Sequence, residues 1–291
     1  MNPASKTYVG FLYVVPALLF VAVFVFYPLS QLIWISLTDA SLLGGGKFVG
    51  WDNYAKAFSD KAFWQALGFT LKYTLWITPI LIILGFALAL LVVPNRPLPK
   101  LARTIVFLPV VIGLGSSSLL WVWLFDQQVG PLNRILMDLH VIAKPMAWFT
   151  KADTGYWAAI ISVIWKVVGF GMILFVAAIN SISHEVNEAA MIDGASYWQR
   201  VTRIILPLSW RTIVLATLIS AIGSMLAFDQ FYILTGGGPR GQTFTSVYWI
   251  YQNAFVYFKL GYGAALSLIL AVIILIGAAV QIWMTRPRSP S

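Results

Sequence analysis

The sequence has no cysteine and little charge: only 10% of its 291 residues are Asp, Glu, Lys or Arg. Without cysteine, disulfide bonds, thiolate nucleophiles and Cys-ligated metal sites are excluded. Soluble domains contain about a quarter charged residues, so a water-soluble globule of this composition would lack a polar surface. Only two histidines are present, and no His-Glu-x-x-His spacing occurs. The sequence therefore predicts neither a metal site nor a catalytic set of side chains.

Apolar residues dominate what is present. They make up 60% of the chain, and the mean hydropathy is +0.84. This composition predicts an integral membrane protein surrounded by membrane lipid. The formal net charge of +9 is interpreted as retention of basic residues on the cytoplasmic side. No nucleic-acid partner is predicted.

Six apolar stretches are long enough to cross a hydrocarbon core roughly 30 Å thick, which takes about 20 residues. The first is longer than the apolar core of a signal peptide, so it is interpreted as a retained helix. The fold class expected is all-α: a polytopic membrane protein with six transmembrane helices and a cytoplasmic helix, forming one domain over residues 1–291. The spans are expected at about 10–36, 67–93, 104–125, 157–182, 212–233 and 260–284.

The distribution of basic residues predicts the orientation. Lys and Arg are denser in the two tails and two of the loops than on the opposite side, which favours both termini in the cytoplasm. These residues are Lys6, Arg96, Lys100, Arg103, Arg200, Arg203, Arg211, Arg286 and Arg288.

The loop at 183–211 differs from the other connections. Good helix formers with acidic residues near their start run to Gly194, a natural helix stop. A second, amphipathic helix is expected over 196–205, with Trp198, Val201 and Ile205 near one face. Such a hairpin either packs on its own chain or projects to meet another protein, and the physical pattern alone leaves both open.

The same loop carries a recognisable motif. Glu188-Ala189-Ala190, Gly194 after three residues, and Ile204-x-Leu206-Pro207 after nine more resemble the EAA motif of binding-protein-dependent ABC importer permeases. In that family the loop is a coupling helix that docks on the ATPase subunit. The resemblance implies that eight residues couple this chain to an ATPase: Glu188, Ala189, Ala190, Asp193, Gly194, Ile204, Leu206 and Pro207.

Other segments resemble the carbohydrate-uptake branch of the family, of the maltose and glycerol-phosphate permease type, and its first subunit in particular. They are Phe48-Val-Gly50-x-x-Asn53-Tyr54, Phe107-Leu108-Pro109, Thr235-Gly236-Gly237-Gly238-Pro239 and Gly261-Tyr262-Gly263-Ala264-Ala265. The resemblance implies a transmembrane permease of an ATP-driven importer. Such a permease passes a sugar, an oligosaccharide or a sugar-phosphate-like solute from an external binding protein into the cytoplasm.

The resemblance also implies the surroundings of the chain. The expected location is the bacterial plasma (inner) membrane. The expected partners are a homologous second permease subunit, two ATPase subunits and an external solute-binding protein. The chain itself is expected to be no enzyme and to bind no cofactor, since ATP and Mg belong to the partner ATPases.

Candidates for the solute path lie in the fourth and fifth spans. Lys166 and Asp229 both fall in the outer half of the bilayer, where ionisable residues usually face a cavity or a partner. They are expected to pair, to meet a polar solute, or simply to be solvated at the interface. Ser224, Phe228 and Tyr232 recur at helical spacing, and such aromatic and polar groups suit sugar faces, although ordinary helix packing is the better explanation for any single one of them.

The glycine-rich segment Gly236, Gly237, Gly238 and Pro239 lacks the Gly-Lys-Ser/Thr of a phosphate-binding loop. It is most simply a tight external turn, and the family resemblance implies a loop that contacts the solute receptor or the cavity mouth.

Two other classes of function are open to a polytopic membrane protein. A secondary carrier would show inverted repeats and charged or unwound residues near the membrane midplane. The sequence has no clear internal repeat and few charges near the midplane. An intramembrane enzyme would need a convergent acid–base or metal set on the spans, and the scarcity of His, Cys and intramembrane carboxylates argues against one.

Overall fold

The computed structural model describes residues 13–94 and 96–285. The twelve residues before them and the last six, which include Lys6, Arg286 and Arg288, lie outside the described residues. In chain order the helices are α1 (Tyr13–Ser36), α2 (Asp52–Ser59), α3 (Lys61–Val92), α4 (Pro97–Val111), α5 (Leu114–Leu124), α6 (Pro131–Asp138), α7 (Ala152–Asn180), α8 (His184–Ile192), α9 (Tyr197–Leu208), α10 (Trp210–Met225), α11 (Ser246–Tyr251) and α12 (Leu260–Met284).

The chain is helical, as the composition predicts. Four helices, α1, α3, α7 and α12, are long and apolar enough to cross a membrane. Two bent pairs also pass that test together: α4 with α5, at 102°, and α9 with α10, at 67°. The described residues thus hold four spans, or up to six if each bent pair is one span. Among the described residues, strand-like pairing is limited to an isolated antiparallel bridge between Thr38 and Phe48.

The described residues divide into two compact units. One contains residues 13–63 and 249–273, and the other contains 64–94, 96–248 and 274–285.

In the first unit, α1 has a π-helical turn at Ala22–Phe26 just before Pro28. Proline has no N–H and its ring crowds the preceding turn, and a local π turn accommodates that. None of the most apolar window of α1 is buried within the chain, so this helix presents its side chains to lipid or to another protein.

Asp60 joins three segments of the first unit. One carboxylate oxygen accepts from the N–H groups of Ala62 (2.9 Å) and Phe63 (3.3 Å), which caps the start of α3. The other accepts from Trp249 Nε1 at 3.1 Å and from Tyr262 Oη at 2.7 Å. Partial burial raises the pKa of Asp60, but these four hydrogen bonds outweigh it and hold the pKa below its usual value.

In the second unit, the tightest helix crossing is between α4 and α7. A Cβ on Gly169 of α7 would overlap the carbonyl oxygen of Val106 in α4. Small residues at such crossings let backbones approach closely in membrane bundles. A buried apolar cluster nearby joins α3, α7, α9 and α10: Ala89, Val92, Met172, Phe175, Val176, Ile179, Val201, Ile205 and Ala216.

Candidate functional site

The expected third span is broken where Lys166 reaches it. Residues 104–125 fall on α4 and α5, which bend by 102° beyond Pro109. Lys166 is 7% exposed, and its Nζ donates to the carbonyl oxygen of Val110 at 2.8 Å. A carbonyl in the last turn of a helix lacks an intrahelical donor, and a cation there also suits the helix dipole. Lys166 therefore stabilises the end of α4.

The expected fifth span is broken as well. Helix α10 ends at Met225, and a π-helical turn follows at Phe231–Thr235. In the unwound stretch between them, the carbonyl oxygen of Ala227 accepts from Thr245 Oγ1 at 2.6 Å. Non-helical backbone at membrane depth is tolerated where other groups satisfy it or where it lines a cavity.

A cavity of about 240 Å³ lies beside this break. Its wall includes three of the five expected solute-path residues, Ser224, Phe228 and Asp229. The rest of the wall comes from α3, α5, α7, α10 and the segment just after α10, with the polar members Tyr73, Ser220 and Gln230 and an otherwise apolar surface.

The other two expected solute-path residues lie elsewhere. Tyr232 stacks on Phe228, with ring centroids 5.1 Å apart, and also meets Tyr248 edge to face at 5.3 Å. Lys166 is not among the wall residues, and within the described part of the chain no ion pair joins it to Asp229. The expected pairing of Lys166 with Asp229 is therefore absent from the described residues: Lys166 bonds the end of α4, and Asp229 lies in the cavity wall.

The glycine-rich segment is a closed turn. Gly236 and Gly237 have φ of +57° and +77°, and a Cβ on Gly237 would overlap the ring of Phe244. Thr243, fully buried, hydrogen bonds Thr235 Oγ1 at 2.7 Å and donates to the carbonyl oxygen of Gly238 at 2.8 Å. The buried hydroxyl of Thr243 therefore stabilises the turn by bonding to both Thr235 and Gly238.

The expected helical hairpin is present and Gly194 ends its first helix. Gly194 has φ of +76°. Its N–H donates to the carbonyl oxygen of Met191 and the N–H of Ala195 donates to that of Ala190, at 3.1 and 2.9 Å. These two bonds form a Schellman motif, for which glycine is the preferred residue. The prediction of a glycine stop at this position is confirmed.

The two helices of the hairpin differ in burial. No residue of α8 is buried, and Ile192 at its end is 87% exposed. Helix α9 begins with a capping box between Ser196 and Gln199, and it is fixed by Val201 and Ile205 in the cluster shared with α3, α7 and α10. The hairpin therefore has an exposed helix, α8, and an anchored helix, α9.

The remaining motif residues lie at the end of α9. Ile204 is half-buried, whereas Leu206 and Pro207 are exposed and line an open apolar groove against the second half of α3. Glu188, Ala189 and Asp193 are exposed on α8 and just after it.

Three side chains support the breaks and the glycine-rich turn in ways that the sequence does not reveal: Lys166, Thr243 and Thr245. The acceptor of Lys166 is a backbone carbonyl, which no residue pattern reveals, and only Pro109 followed by Gly113 hints at a break there. Thr245 and Thr243 likewise look like ordinary loop residues. Among the described residues no group of three or more His, Asp or Glu lies close enough to hold a metal ion.

Broken helices beside a cavity, with irregular backbone kept for the cavity wall, are typical of membrane transport proteins. The comparison with known families agrees. Residues 57–286 match the family of binding-protein-dependent transport system inner membrane components, and the chain belongs to that family.

Relatives resemble this chain over almost their entire lengths. The lactose transport system permease protein of Rhizobium radiobacter is 32% identical over 287 residues, which cover 96% of this chain and 94% of that protein. The trehalose/maltose transport system permease protein of Thermococcus litoralis is 32% identical over 280 residues, with the same two shares.

Two crystal structures of bacterial alginate ABC transporters contain a similar chain, 23% identical in each. The superposition on the first has a TM-score of 0.85 and covers 97% of this chain and 95% of the other chain. The superposition on the second has a TM-score of 0.84 and covers 98% of both chains. At this identity the likeness establishes a shared fold. One of the two contains a periplasmic protein with a bound alginate pentasaccharide, and the other is described as importing an acidic polysaccharide.

Proposed function

We propose that this chain is a permease subunit of an ATP-driven importer that passes a carbohydrate from an external binding protein into the cytoplasm. The observation that carries the proposal is the match of almost the whole chain to permeases named for lactose and for trehalose/maltose transport. The solute class is a sugar, an oligosaccharide or a sugar phosphate. The chain lies in the bacterial inner membrane with both termini in the cytoplasm. The higher density of Lys and Arg in the two tails and in two of the loops supports this orientation.

The solute path follows the cavity beside the break in the fifth span. Ser224, Phe228 and Asp229 line it, and Tyr232 supports Phe228 by stacking. Ligand sites usually occupy about 300–1,000 Å³, so a cavity of about 240 Å³ is small for an oligosaccharide. A homologous second permease subunit completes the path. The turn at Gly236–Pro239 lies on the external side, where it meets the receptor or the cavity mouth.

The hairpin couples the path to ATP hydrolysis. Two partner ATPases bind ATP and Mg, and this chain contributes no bond chemistry. The exposed helix α8, with Glu188, Ala189 and Ala190, docks on an ATPase. Because α9 is anchored by Val201 and Ile205 among α3, α7 and α10, a displacement of α8 is passed to the helices that line the cavity.

Gentle affinity purification of the chain from native membranes, followed by mass spectrometry, tests the assignment. We expect an ATPase and a second six-span permease to accompany it, with an external binding protein recovered when the solute is added. Recovery of the chain alone, under conditions that keep a known importer of this type intact, would contradict the proposal and favour a self-sufficient carrier.

A further inference from the structure

The described wall of the cavity carries a negatively charged residue and no positively charged one. Among the described wall residues Asp229 is the only charged one, and no Lys, Arg or His is present. Lys166, the intramembrane cation that the sequence offered as a partner for Asp229, donates to the carbonyl oxygen of Val110 instead. A solute entering this cavity therefore meets a negative charge and no positive one.

The carboxylate of Asp229 has no partner in the described part of the chain. It is half-buried, and no hydrogen bond or ion pair is made to it there. An ionised group without a partner is costly in a membrane protein, and such groups usually mark a solute or ion pathway. The two oxygens of a carboxylate act only as acceptors and can take two parallel hydrogen bonds. Asp229 is thus ready to receive donors from a solute.

The neighbours of Asp229 indicate what those donors are. Phe228 precedes it in the wall and belongs to a group of stacked rings with Tyr232. Ser220 and Gln230 add hydroxyl and amide groups to the same wall. An apolar ring beside acceptor oxygens matches a sugar, which offers C–H faces and neighbouring hydroxyl donors.

We propose that Asp229 selects for uncharged carbohydrates by accepting hydrogen bonds from two adjacent hydroxyls and by repelling anionic sugars. The inference rests on the proposed function and narrows it, since sugar phosphates, uronates and sulfonates are excluded. Two like charges several ångströms apart at an intermediate dielectric change an equilibrium at least about tenfold. The alginate importers share the fold, yet one is described as importing an acidic polysaccharide, so fold alone does not set this preference.

Because the chain has no cysteine, a single introduced thiol can report the electrostatic potential inside the cavity. Ser220→Cys places one thiol in the wall with little change in volume. In the importer complex, held in nanodiscs, the rates of reaction with a cationic and an anionic methanethiosulfonate are compared, each corrected for its rate with free cysteine. The mass of this chain alone is read, so that partner cysteines do not contribute.

We expect the cationic reagent to react at least about tenfold faster, and Asp229→Asn in the same background to abolish most of that preference. Asp229→Glu should retain it, since the charge is kept. Asp153→Asn, an exposed site at the start of α7, is the matched control and should leave the ratio unchanged. A ratio near one, or one that Asp229→Asn does not alter, would overturn the proposal.

Protection of the same thiol separates this inference from the proposed function. Maltose and lactose should slow labelling in the Ser220→Cys complex at concentrations where glucose 6-phosphate and glucuronate do not, and Asp229→Asn should narrow that difference. Equal protection by neutral and anionic sugars would overturn charge selection. If the ratio of labelling rates depends on Asp229 but no sugar slows labelling, the negative charge of the cavity stands, whereas the carbohydrate assignment and the sugar-hydroxyl bonds to Asp229 fail.

Discussion

Lys166 shows how a charge within a span can serve the backbone. Its ammonium group reaches the end of α4 and satisfies a carbonyl that the bend beyond Pro109 leaves without a helical donor. The position of Lys166 in the sequence indicates that it has a partner, because a charge in a span is costly alone. It does not indicate which partner, since every residue carries a carbonyl.

Lys166→Met is expected to destabilise the protein by about 1–3 kcal/mol, since the carbonyl of Val110, half-buried at the end of α4, would lose its donor. Thermal unfolding of the purified protein in detergent measures the effect, and a melting temperature lower by several degrees is expected. The affinity for solute should hardly change, because Lys166 is not in the cavity wall.

Lys61→Met is the matched control, because Lys61 is exposed at the start of α3, and it should leave the melting temperature unchanged. An unaltered melting temperature for Lys166→Met together with a weaker solute affinity would mean that Lys166 binds solute after all.

At the scale of an element, the hairpin depends on one glycine. Gly194 adopts a left-handed conformation that closes the Schellman motif of α8 and sets the direction in which α9 begins. No atom lies within 4 Å of a Cβ placed there, so the cost of a side chain is conformational and amounts to about 1–2 kcal/mol.

Gly194→Val is expected to change the angle between α8 and α9 and to uncouple the two activities of the complex. Solute-stimulated ATP hydrolysis and uptake should fall several-fold in proteoliposomes, while the purified complex stays assembled. Gly194→Asn should retain much of the coupling, because asparagine tolerates the left-handed region better than other residues.

Gly277→Val makes the same substitution at an exposed helical glycine in α12, where nothing lies within 4 Å of the added Cβ. It should leave coupling intact. Normal solute-stimulated ATP hydrolysis in Gly194→Val would contradict a coupling role for the hairpin.

The elements show where sequence patterns suffice and where they fail. The end of α8 is predictable because glycine after a helical pattern has one strong structural meaning. The bends near Pro109 and after Met225 are not predictable in this way. A proline alone does not mark a bend, because Pro79 lies inside helix α3 without breaking it. Whether a proline or a polar stretch breaks a span depends on donors from other segments, such as Lys166 and Thr245.

At the scale of the molecule, composition alone predicts a polytopic helical membrane protein, because so little charge cannot cover a soluble surface. The position and wall of the cavity could not be predicted from composition or hydrophobic pattern. Its wall combines Tyr73, Leu114, Phe170 and Asp229 from distant parts of the chain, and hydrophobic patterns do not reveal which faces of apolar helices turn toward each other.

The exposed apolar end of α8 leads to a prediction about the assembled complex. Met191 and Ile192 are 52% and 87% exposed on a helix with no buried residue. Apolar groups gathered on an exposed surface mark an interaction site, and the proposed occupant is the ATPase. Because the chain has no cysteine, Ile192→Cys provides a single thiol at this surface. We expect it to react readily with a maleimide in the permease separated from its ATPase and to lose most of that reactivity in the assembled complex.

Leu43→Cys is the control for that experiment. Leu43 is 80% exposed and follows the first span, in the connection expected on the external side of the membrane, so its labelling should be the same in both preparations. The comparison separates protection at α8 from a general change in detergent or reagent access. If Ile192→Cys reacts equally fast with and without the ATPase, α8 is not the docking surface. The anchored helix α9 would then lack the proposed source of its displacement, because the proposal places the contact with the ATPase on α8.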